Sequence, residues 1–428
     1  MQKQRSYKVM ILLPIFSKLY SAPAVRWRAF VNSLQRYEIF KKLIIVEFPN
    51  KVTPWSYKLM KRSYGNIVLY SLLSIKKYNH FHKHLLIGKT GKTNLNGHEF
   101  LYTIIYKDLV NTLYKIADTE QPSLIIASVP PPHTAILAYI LSRAYKVPYI
   151  VDVRDLIEYF YFYENIRDRN FIRSILWKSI IHPLYKKSLK NANGVTTVTP
   201  IFKKCLELNY NKEIYLIPNG ILKRILQAPP MERRSKQIVI VEAAEKGLGL
   251  TLGIDKIINV WRNIIKEKFP EYKLIVIGGI CNAIKKYYDE KDLENIDLLG
   301  LLPYEKVIDI LSRSKGSIIW CLNTRNPALT GSVPVKFYDS IGAGTPVFAI
   351  GPKTYLSILI NKLKLGIYIE EKCNTKSLIK GLINFITLIE NNAFDVTHII
   401  NNQDKFLRSN YVDILKELIL KVVEQREH

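Results

Sequence analysis

Cysteine is nearly missing from this chain: four residues in 428 (Cys205, Cys281, Cys321 and Cys373), all far apart. No two have the close spacing of a zinc-ligand pair, and so few cannot staple a chain of this length, which excludes a disulfide scaffold and a cysteine metal site. They read as buried thiols in a reducing compartment. Long apolar runs are missing too. No stretch of 18 or more apolar residues occurs, which excludes a membrane-spanning helix of ordinary length. The opening residues lead directly into a strand-like run, Val9 to Leu13, too short for the apolar region of a secretory signal, so the expected location is cytoplasmic. Repeats shorter than half the chain and low-complexity tracts are also absent. Acid is in short supply: 36 Asp and Glu stand against 63 Lys and Arg, a net charge of +27. The shortage lies mostly in one half, with 33 basic and 13 acidic residues in 1–222 but 30 and 23 in 223–428. A field of that sign attracts polyanions, whether nucleic acid, anionic lipid headgroups or diphosphate-linked substrates. The other reading is a solvated lysine surface, against which the better-balanced second half speaks.

What is present is ample apolar material, 48% of the residues, on a chain long enough for two cores. Strand-like and helix-like patterns alternate, which predicts parallel sheets with crossover helices. Val9–Leu13, Leu43–Phe48, Ile67–Tyr70, Leu124–Ser128, Tyr149–Val153 and Val195–Val198 read as strands. Val25–Gln35, Phe100–Ala117, Thr134–Ala144 and Ser174–Lys190 read as helices between them. A Pro218-Asn219-Gly220 turn and a polar, proline-containing stretch through Lys236 mark a boundary. Beyond it the rhythm restarts with strands Ile238–Val241, Lys273–Gly278, Ile296–Gly300, Ser317–Cys321, Pro346–Ile350 and Gly366–Ile369, and helices over Ile254–Lys268, Tyr304–Ser314 and Thr375–Glu390. The last segment, from Asp404, is amphipathic and helical. The expectation is an α/β protein of two doubly wound, Rossmann-like domains, 1–222 and 223–403, facing across a cleft, with a C-terminal helix (404–428) returning to the first. Ligands of open parallel sheets bind at the carboxyl ends of the strands.

The stretch Ser332-Val-Pro-Val-Lys-Phe-Tyr-Asp-Ser-Ile-Gly-Ala-Gly-Thr-Pro-Val-Phe348 reads as loop, short helix, glycine break and strand. A helix N-terminus offers free N–H groups and partial positive charge to a phosphate, and Lys336 adds a point charge. Asp339, three residues on, shares nearly the same face and can accept hydrogen bonds from ribose hydroxyls. An ordinary helix-to-strand corner is the plainer reading of the same residues. The stretch resembles the signature of family 4 glycosyltransferases, Pro-x-Lys-x-x-Glu-x-x-x-x-Gly-x-Pro-Val, here Pro334, Lys336, Asp339, Gly344, Pro346 and Val347. The usual glutamate is Asp339, and a second glutamate common eight residues earlier is Gly331.

Further landmarks follow in the family's order. Ser21-Ala-Pro-Ala-Val-Arg-Trp-Arg28 is similar to the first strand-to-helix turn of its surface-polysaccharide members, without their glycines. Ile125-Ile-Ala-Ser-Val-Pro-Pro-Pro-His-Thr134, the Asp152-Val-Arg-Asp155 strand end, Asn191–Pro200 and Ile217-Pro-Asn-Gly220 resemble its later landmarks. The resemblance, spread from about residue 10 to 350, implies the GT-B fold and a retaining hexosyltransferase that needs no metal or other cofactor. Its donor would be a nucleotide sugar, a UDP-sugar before a GDP-sugar. Donor contacts implied are Lys246, Arg325, Gly331, Ser332, Val333, Lys336 and Asp339. Arg154, Asp155 and Lys336 take the catalytic places, and Arg26, His133 and Asp152 the acceptor side. His133 either touches substrate or caps and packs. Asp152 and Asp155 either bind an acceptor hydroxyl or hold Arg154. Arg154 stands where many members carry histidine, and a guanidinium cannot act as a base at neutral pH.

Three features invite other chemistry. Gly88-Lys-Thr-Gly-Lys-Thr93 lacks the earlier glycine of a nucleotide loop, and reads as a basic loop. His80, His82 and His84 alternate as metal ligands on a strand would, but in a lysine-rich segment without acidic or cysteine ligands nearby. Leu156–Lys190 mixes aromatic and basic residues, which suits either an anionic membrane interface or a core helix with a solvated basic face. The partners expected are therefore a nucleotide-sugar donor, a lipid-linked or surface-glycan acceptor and the inner face of the cell membrane, in polysaccharide biosynthesis. Nucleic acid is a weaker reading, since no recognition motif accompanies the charge. A GT-B protein that binds without transferring, and a sugar-nucleotide epimerase of the same fold, are the alternatives within the fold.

Overall fold

Runs such as Val9–Leu13, Leu43–Val46 and Leu124–Ala127 are apolar on both alternating faces, the pattern of strands covered on both sides by helices. The computed structural model describes residues 6–14, 16, 22–48, 57–74, 98–158, 177–222, 224–242, 254–320, 331–351, 353–370 and 374–425. Its contacts divide the chain into two units: one is Met1–Lys18, Pro23–Ile217 and Tyr411–His428, the other Leu19–Ala22 and Pro218–Asn410.

The first unit holds β1 (Tyr7–Leu13), β2 (Phe40–Glu47), β3 (Tyr57–Tyr64), β4 (Ile67–Ser74), β5 (Leu124–Val129), β6 (Tyr149–Val153), β7 (Gly194–Thr197) and β8 (Tyr215–Leu216). They form one sheet in the order β3-β4-β2-β1-β5-β6-β7-β8. Every pairing is parallel except β3 with β4, an antiparallel hairpin closed at Tyr64 and Ile67. That hairpin was not expected. β3, with charged Lys58, Lys61 and Arg62, lacks the apolar run of a buried strand, because it is an edge strand with an exposed face. The expected helix 100–117 is two, His98–Ile105 and Lys107–Glu120. Helices Pro200–Tyr210 and Tyr355–Lys362 were also not foreseen.

The terminal helix Ser409–Glu424 returns to this unit, as expected. Val412, Leu415, Leu418, Ile419, Val422 and Val423 join one core with Val9, Ile11, Leu43, Ile45, Ile126 and Ile150 of the sheet and with Trp27, Phe30 and Val31 of helix Ala22–Leu34.

The second unit's sheet, β9 (Ser235–Val241), β10 (Lys273–Ile277), β11 (Ile296–Gly300), β12 (Ser314–Trp320), β13 (Val347–Gly351) and β14 (Gly366–Glu370), is wholly parallel. Its order, β11-β10-β9-β12-β13-β14, is that of the doubly wound dinucleotide fold, and the order reverses between β9 and β12. Two glycines of the sequence landmarks are fixed by geometry. Gly220 has φ +64, and a side chain there would meet the Phe406 carbonyl at 2.8 Å. Gly344 has φ +66 where helix Val335–Gly342 gives way to β13.

Candidate active site

In the second unit the signature residues gather at the reversal of strand order. Pro334 is extended and precedes helix Val335–Gly342, whose first turn has no side-chain cap; the Phe337 N–H bonds the Pro334 carbonyl at 3.0 Å, which leaves the Val335 and Lys336 N–H groups for another acceptor. The helix is held to the sheet on its inner face. Phe337, Tyr338 and Ile341 enter the core with Val333 and Ile319, and Ser340 Oγ accepts from Ser317 Oγ at 2.9 Å and donates to the Lys336 carbonyl. That leaves Lys336 on the open side, where Nζ lies 2.6 Å from Glu242 Oε2. Glu242 directly follows β9, and its N–H continues the ladder to the Ile277 carbonyl.

Asp339 is buried on the same short helix. Tyr304 Oη donates to its Oδ1 at 2.8 Å. Burial raises the Asp339 pKa to about 6, against the opposing pull of the Tyr304 hydrogen bond and the Arg408 charge. Burial and the Asp339 charge push the Tyr304 hydroxyl far up, so it stays a donor. Arg408 in turn donates from Nε to the Asn219 carbonyl at 2.5 Å and from Nη2 to the Gly220 carbonyl at 3.0 Å, so one cation serves both the Pro-Asn-Gly turn and the Asp339 face. Gly331 and Val333 are buried and Ser332 is partly exposed. Val333 is a core side chain, which leaves its backbone as the part available to a ligand. Lys246 and Arg325 lie outside the described residues, as do Gly88–Thr93, His80, His82, His84 and most of the aromatic-basic segment after Glu158.

In the first unit the expected residues cluster at the carboxyl ends of β5 and β6, but in a closed arrangement. Arg26 is 1% exposed; its Nη2 donates to Asp152 Oδ1 at 3.0 Å and to the Ile217 carbonyl at 2.9 Å. Asp152, 2% exposed, also accepts from Ser128 Oγ at 3.2 Å and Thr196 Oγ1 at 2.8 Å. The acceptor-side expectation for Arg26 and Asp152 therefore meets a physical obstacle: both are buried, and each is the other's partner. They tie helix Ala22–Leu34 to β6 and to the end of β8. Arg154 donates from Nε to Ser128 Oγ at 2.9 Å and from Nη2 to the Pro130 carbonyl at 2.8 Å, which points the guanidinium along the β5 strand end. Burial lowers its pKa, with the Asp155 and Asp152 charges opposing. Asp155 is partly exposed, and desolvation raises its pKa against the pull of Arg154. His133 sits in the first turn of helix Pro132–Tyr145, its Nδ1 2.9 Å from Tyr102 Oη and its ring 4.9 Å, edge-on, from that of Tyr106. Desolvation drops its pKa to about 4, so the ring is neutral at physiological pH.

Sequence reasoning missed Glu242, Tyr304 and Arg408. Glu242 had a local signal, a carboxylate closing an apolar strand at the second half's first turn. Tyr304 and Arg408 had none, since 35 and 69 residues separate them from Asp339. Among the described residues no group of three or more His, Cys, Asp or Glu is placed to hold a metal, and no helix is long and apolar enough to cross a membrane.

No known family profile and no curated protein matches the sequence. Solved structures do match. Sucrose-phosphate synthase from Thermosynechococcus elongatus superposes with a TM-score of 0.65 at 11% identity, over 98% of this chain and 100% of that one. The α,α-trehalose 6-phosphate synthase of Burkholderia multivorans gives 0.62 at 10%, over 98% and 99%. HepE of Anabaena, solved in complex with UDP, gives 0.60 at 11%, over 97% and 100%. The likeness is one of fold, and the fold is GT-B.

Proposed function

We propose that this chain is a retaining, metal-independent glycosyltransferase that draws on a nucleotide sugar, UDP-linked before GDP-linked, and glycosylates a lipid-linked or surface-glycan acceptor. The observation that carries the reading is the pairing of Lys336 and Asp339 on one eight-residue helix, uncapped at its N-terminus, at the strand-order reversal of the second unit. Glycosyl transfer needs the departing diphosphate stabilised while the anomeric bond breaks. The Lys336 ammonium and the Val335 and Lys336 backbone N–H groups at the start of its helix are donors and positive charge for that purpose. Asp339, when ionised, accepts from ribose hydroxyls, and the Tyr304 hydrogen bond fixes which oxygen remains for them. Lys246 and Arg325 complete the proposed donor contacts. In the first unit Arg154 and Asp155 are the polar groups we assign to the reaction, with His133 against the acceptor. The basic excess of residues 1–222 suits an acceptor carried on an anionic membrane at the cytoplasmic face. Structural likeness to glycosyltransferases, one of them solved with UDP, supports the nucleotide part of this reading.

The test is calorimetric titration of the purified protein with UDP, GDP, ADP and dTDP without added metal, repeated on Lys336→Ala. Selective binding of one nucleotide, lost in the variant, is the expected result. Binding that survives Lys336→Ala would overturn the site assignment. A second reading, a GT-B protein that binds without transferring, is favoured by one feature: Gly331 stands where a glutamate is usual. Nucleotide binding with no sugar transferred or hydrolysed would identify it.

A further inference from the structure

The proposed donor site contains a charge that the proposed chemistry does not ask for. Glu242 stands at the last ladder position beyond β9, its N–H on the Ile277 carbonyl, and reaches across the strand-order reversal to Lys336 with 2.6 Å between Oε2 and Nζ. Both side chains are 20% exposed, so the pair is partly withdrawn from water and its hydrogen bond is charge-assisted at both ends. An ammonium carries three N–H donors, so geometry alone allows it a second anion. Electrostatics does not favour it: a diphosphate brought to Nζ would stand within a few ångströms of the carboxylate, in a site where screening by water is reduced.

Resting on the reading of Lys336 as a diphosphate contact, we propose that Glu242 is a resident competitor for the donor's diphosphate. Before the donor binds, it holds the Lys336 ammonium and neutralises it. A nucleoside diphosphate, with more charge and with the first-turn N–H groups of helix Val335–Gly342 as extra partners, displaces the carboxylate from Nζ. After transfer, the same carboxylate returns to the ammonium and favours release of the product nucleoside diphosphate. The arrangement discriminates by charge: a ligand that brings a diphosphate to Lys336 exchanges with Glu242, and one that brings a single weak anion does not. Glu242 is thus a specificity and release residue that acts through Lys336, not a group bonded to the sugar.

The experiment is a double-mutant cycle of Glu242→Gln and Lys336→Ala, read by calorimetric titration with two probes: the nucleoside diphosphate that the wild-type protein binds, and its parent nucleoside. Glutamine keeps the shape and removes the charge. The expected result is diphosphate binding about fivefold tighter in Glu242→Gln, the size of a weak ion pair relieved. The nucleoside is unaffected, and Glu242→Gln recovers no diphosphate binding when Lys336 is already alanine. A steady-state counterpart follows if release limits turnover: Glu242→Gln lowers kcat and KM together. Unchanged or weaker diphosphate binding in Glu242→Gln, while Lys336→Ala abolishes it, overturns this inference and leaves the donor site standing. Diphosphate binding recovered in the double variant where Lys336→Ala alone binds none also overturns it, because the carboxylate then acts through space and not through the ammonium. If the wild-type protein and Glu242→Gln bind no nucleoside diphosphate at all, the donor-site reading falls and this inference falls with it.

Discussion

Two charge pairs, one in each unit, are held in opposite ways. In the first, Arg26 and Asp152 are 1% and 2% exposed, and hydrogen bonds from Ser128 and Thr196 and to the Ile217 carbonyl close the network around them. In the second, Lys336 and Glu242 are each 20% exposed and meet as a pair, with an uncapped helix start beside them. A buried, fully partnered network has nothing to exchange without leaving a charge alone in a low dielectric, so it serves to hold strand ends in place. A partly exposed pair exchanges partners at small cost, as a binding site requires. Motif residues of similar appearance in sequence are therefore separated by their surroundings into a closed network and a candidate site.

Breaking the closed network should give the largest effect. Arg26→Ala leaves the Asp152 carboxylate buried without its counter-charge, and removal of one partner of such a pair typically costs about 3–5 kcal/mol. Chemical denaturation should show a loss of that size. A loss below about 1 kcal/mol would mean that water reaches Asp152 and that the two units do not differ in the way described.

Titration sharpens the contrast, because each unit contains a desolvated group whose displaced pKa has the opposite consequence. Asp339 in the second unit has a folded pKa of about 6, above the ordinary carboxylate value. A raised pKa means that its contribution to stability is full below the unfolded pKa and is lost as pH rises through about 6. At pH 8 the ionised carboxylate thus costs up to roughly 3 kcal/mol, since each tenfold weakening of its acidity on folding is worth about 1.4 kcal/mol. Asp339→Asn should therefore be more stable than wild type at pH 8 but not at pH 4. The same variant should lose ribose recognition, and wild-type donor affinity should fall as pH drops below about 6. His133 in the first unit is the mirror case. Its folded pKa of about 4 lies below the unfolded value, so its contribution is present above about 6.5 and is lost as pH falls toward 4. Between neutral pH and pH 5.5 this loss amounts to about 1 kcal/mol, and His133→Phe should flatten the slope of stability between pH 7 and 5. An unchanged slope would place the ring in water.

The fold was legible because its central strands are apolar on both faces and because proline and glycine mark the turns; Gly220 and Gly344, with their positive φ, stand where the sequence had marked a turn and a helix break. The terminal helix was legible as amphipathic, and its return to the first unit was an expectation that went with the GT-B resemblance. The edge hairpin β3–β4 was not, since Tyr57–Tyr64 is charged and half-apolar, as an edge strand must be to avoid pairing with another chain. At the site, Lys336 and Asp339 were readable because one helical turn carries both. Their partners were not: Tyr304 starts a helix and Arg408 precedes the last one, and only tertiary packing brings them to Asp339. Burial also decides between roles that spacing leaves open. Nothing in Asp152-Val-Arg-Asp155 tells that the first carboxylate is enclosed and the last partly exposed.

The smallest expected effect is the most telling for the comparison. If the Lys336–Glu242 pair exists to exchange and not to hold, its removal should leave stability almost untouched. A pair with 20% exposure on each side gains some Coulomb energy, but fixing a long lysine side chain offsets much of it, and measured pairs of this kind contribute about 1 kcal/mol or less. Lys336→Ala should therefore shift the denaturation midpoint only slightly, several times less than Arg26→Ala, while removing nucleotide binding. The helix does not depend on the side chain, because Phe337, Tyr338 and Ile341 anchor it in the core and Ser317 bonds Ser340 beneath it. A stability loss of Lys336→Ala comparable to that of Arg26→Ala would make the pair a structural clasp like its counterpart in the first unit. Any loss of binding in the variant would then reflect a collapsed site and not a missing contact.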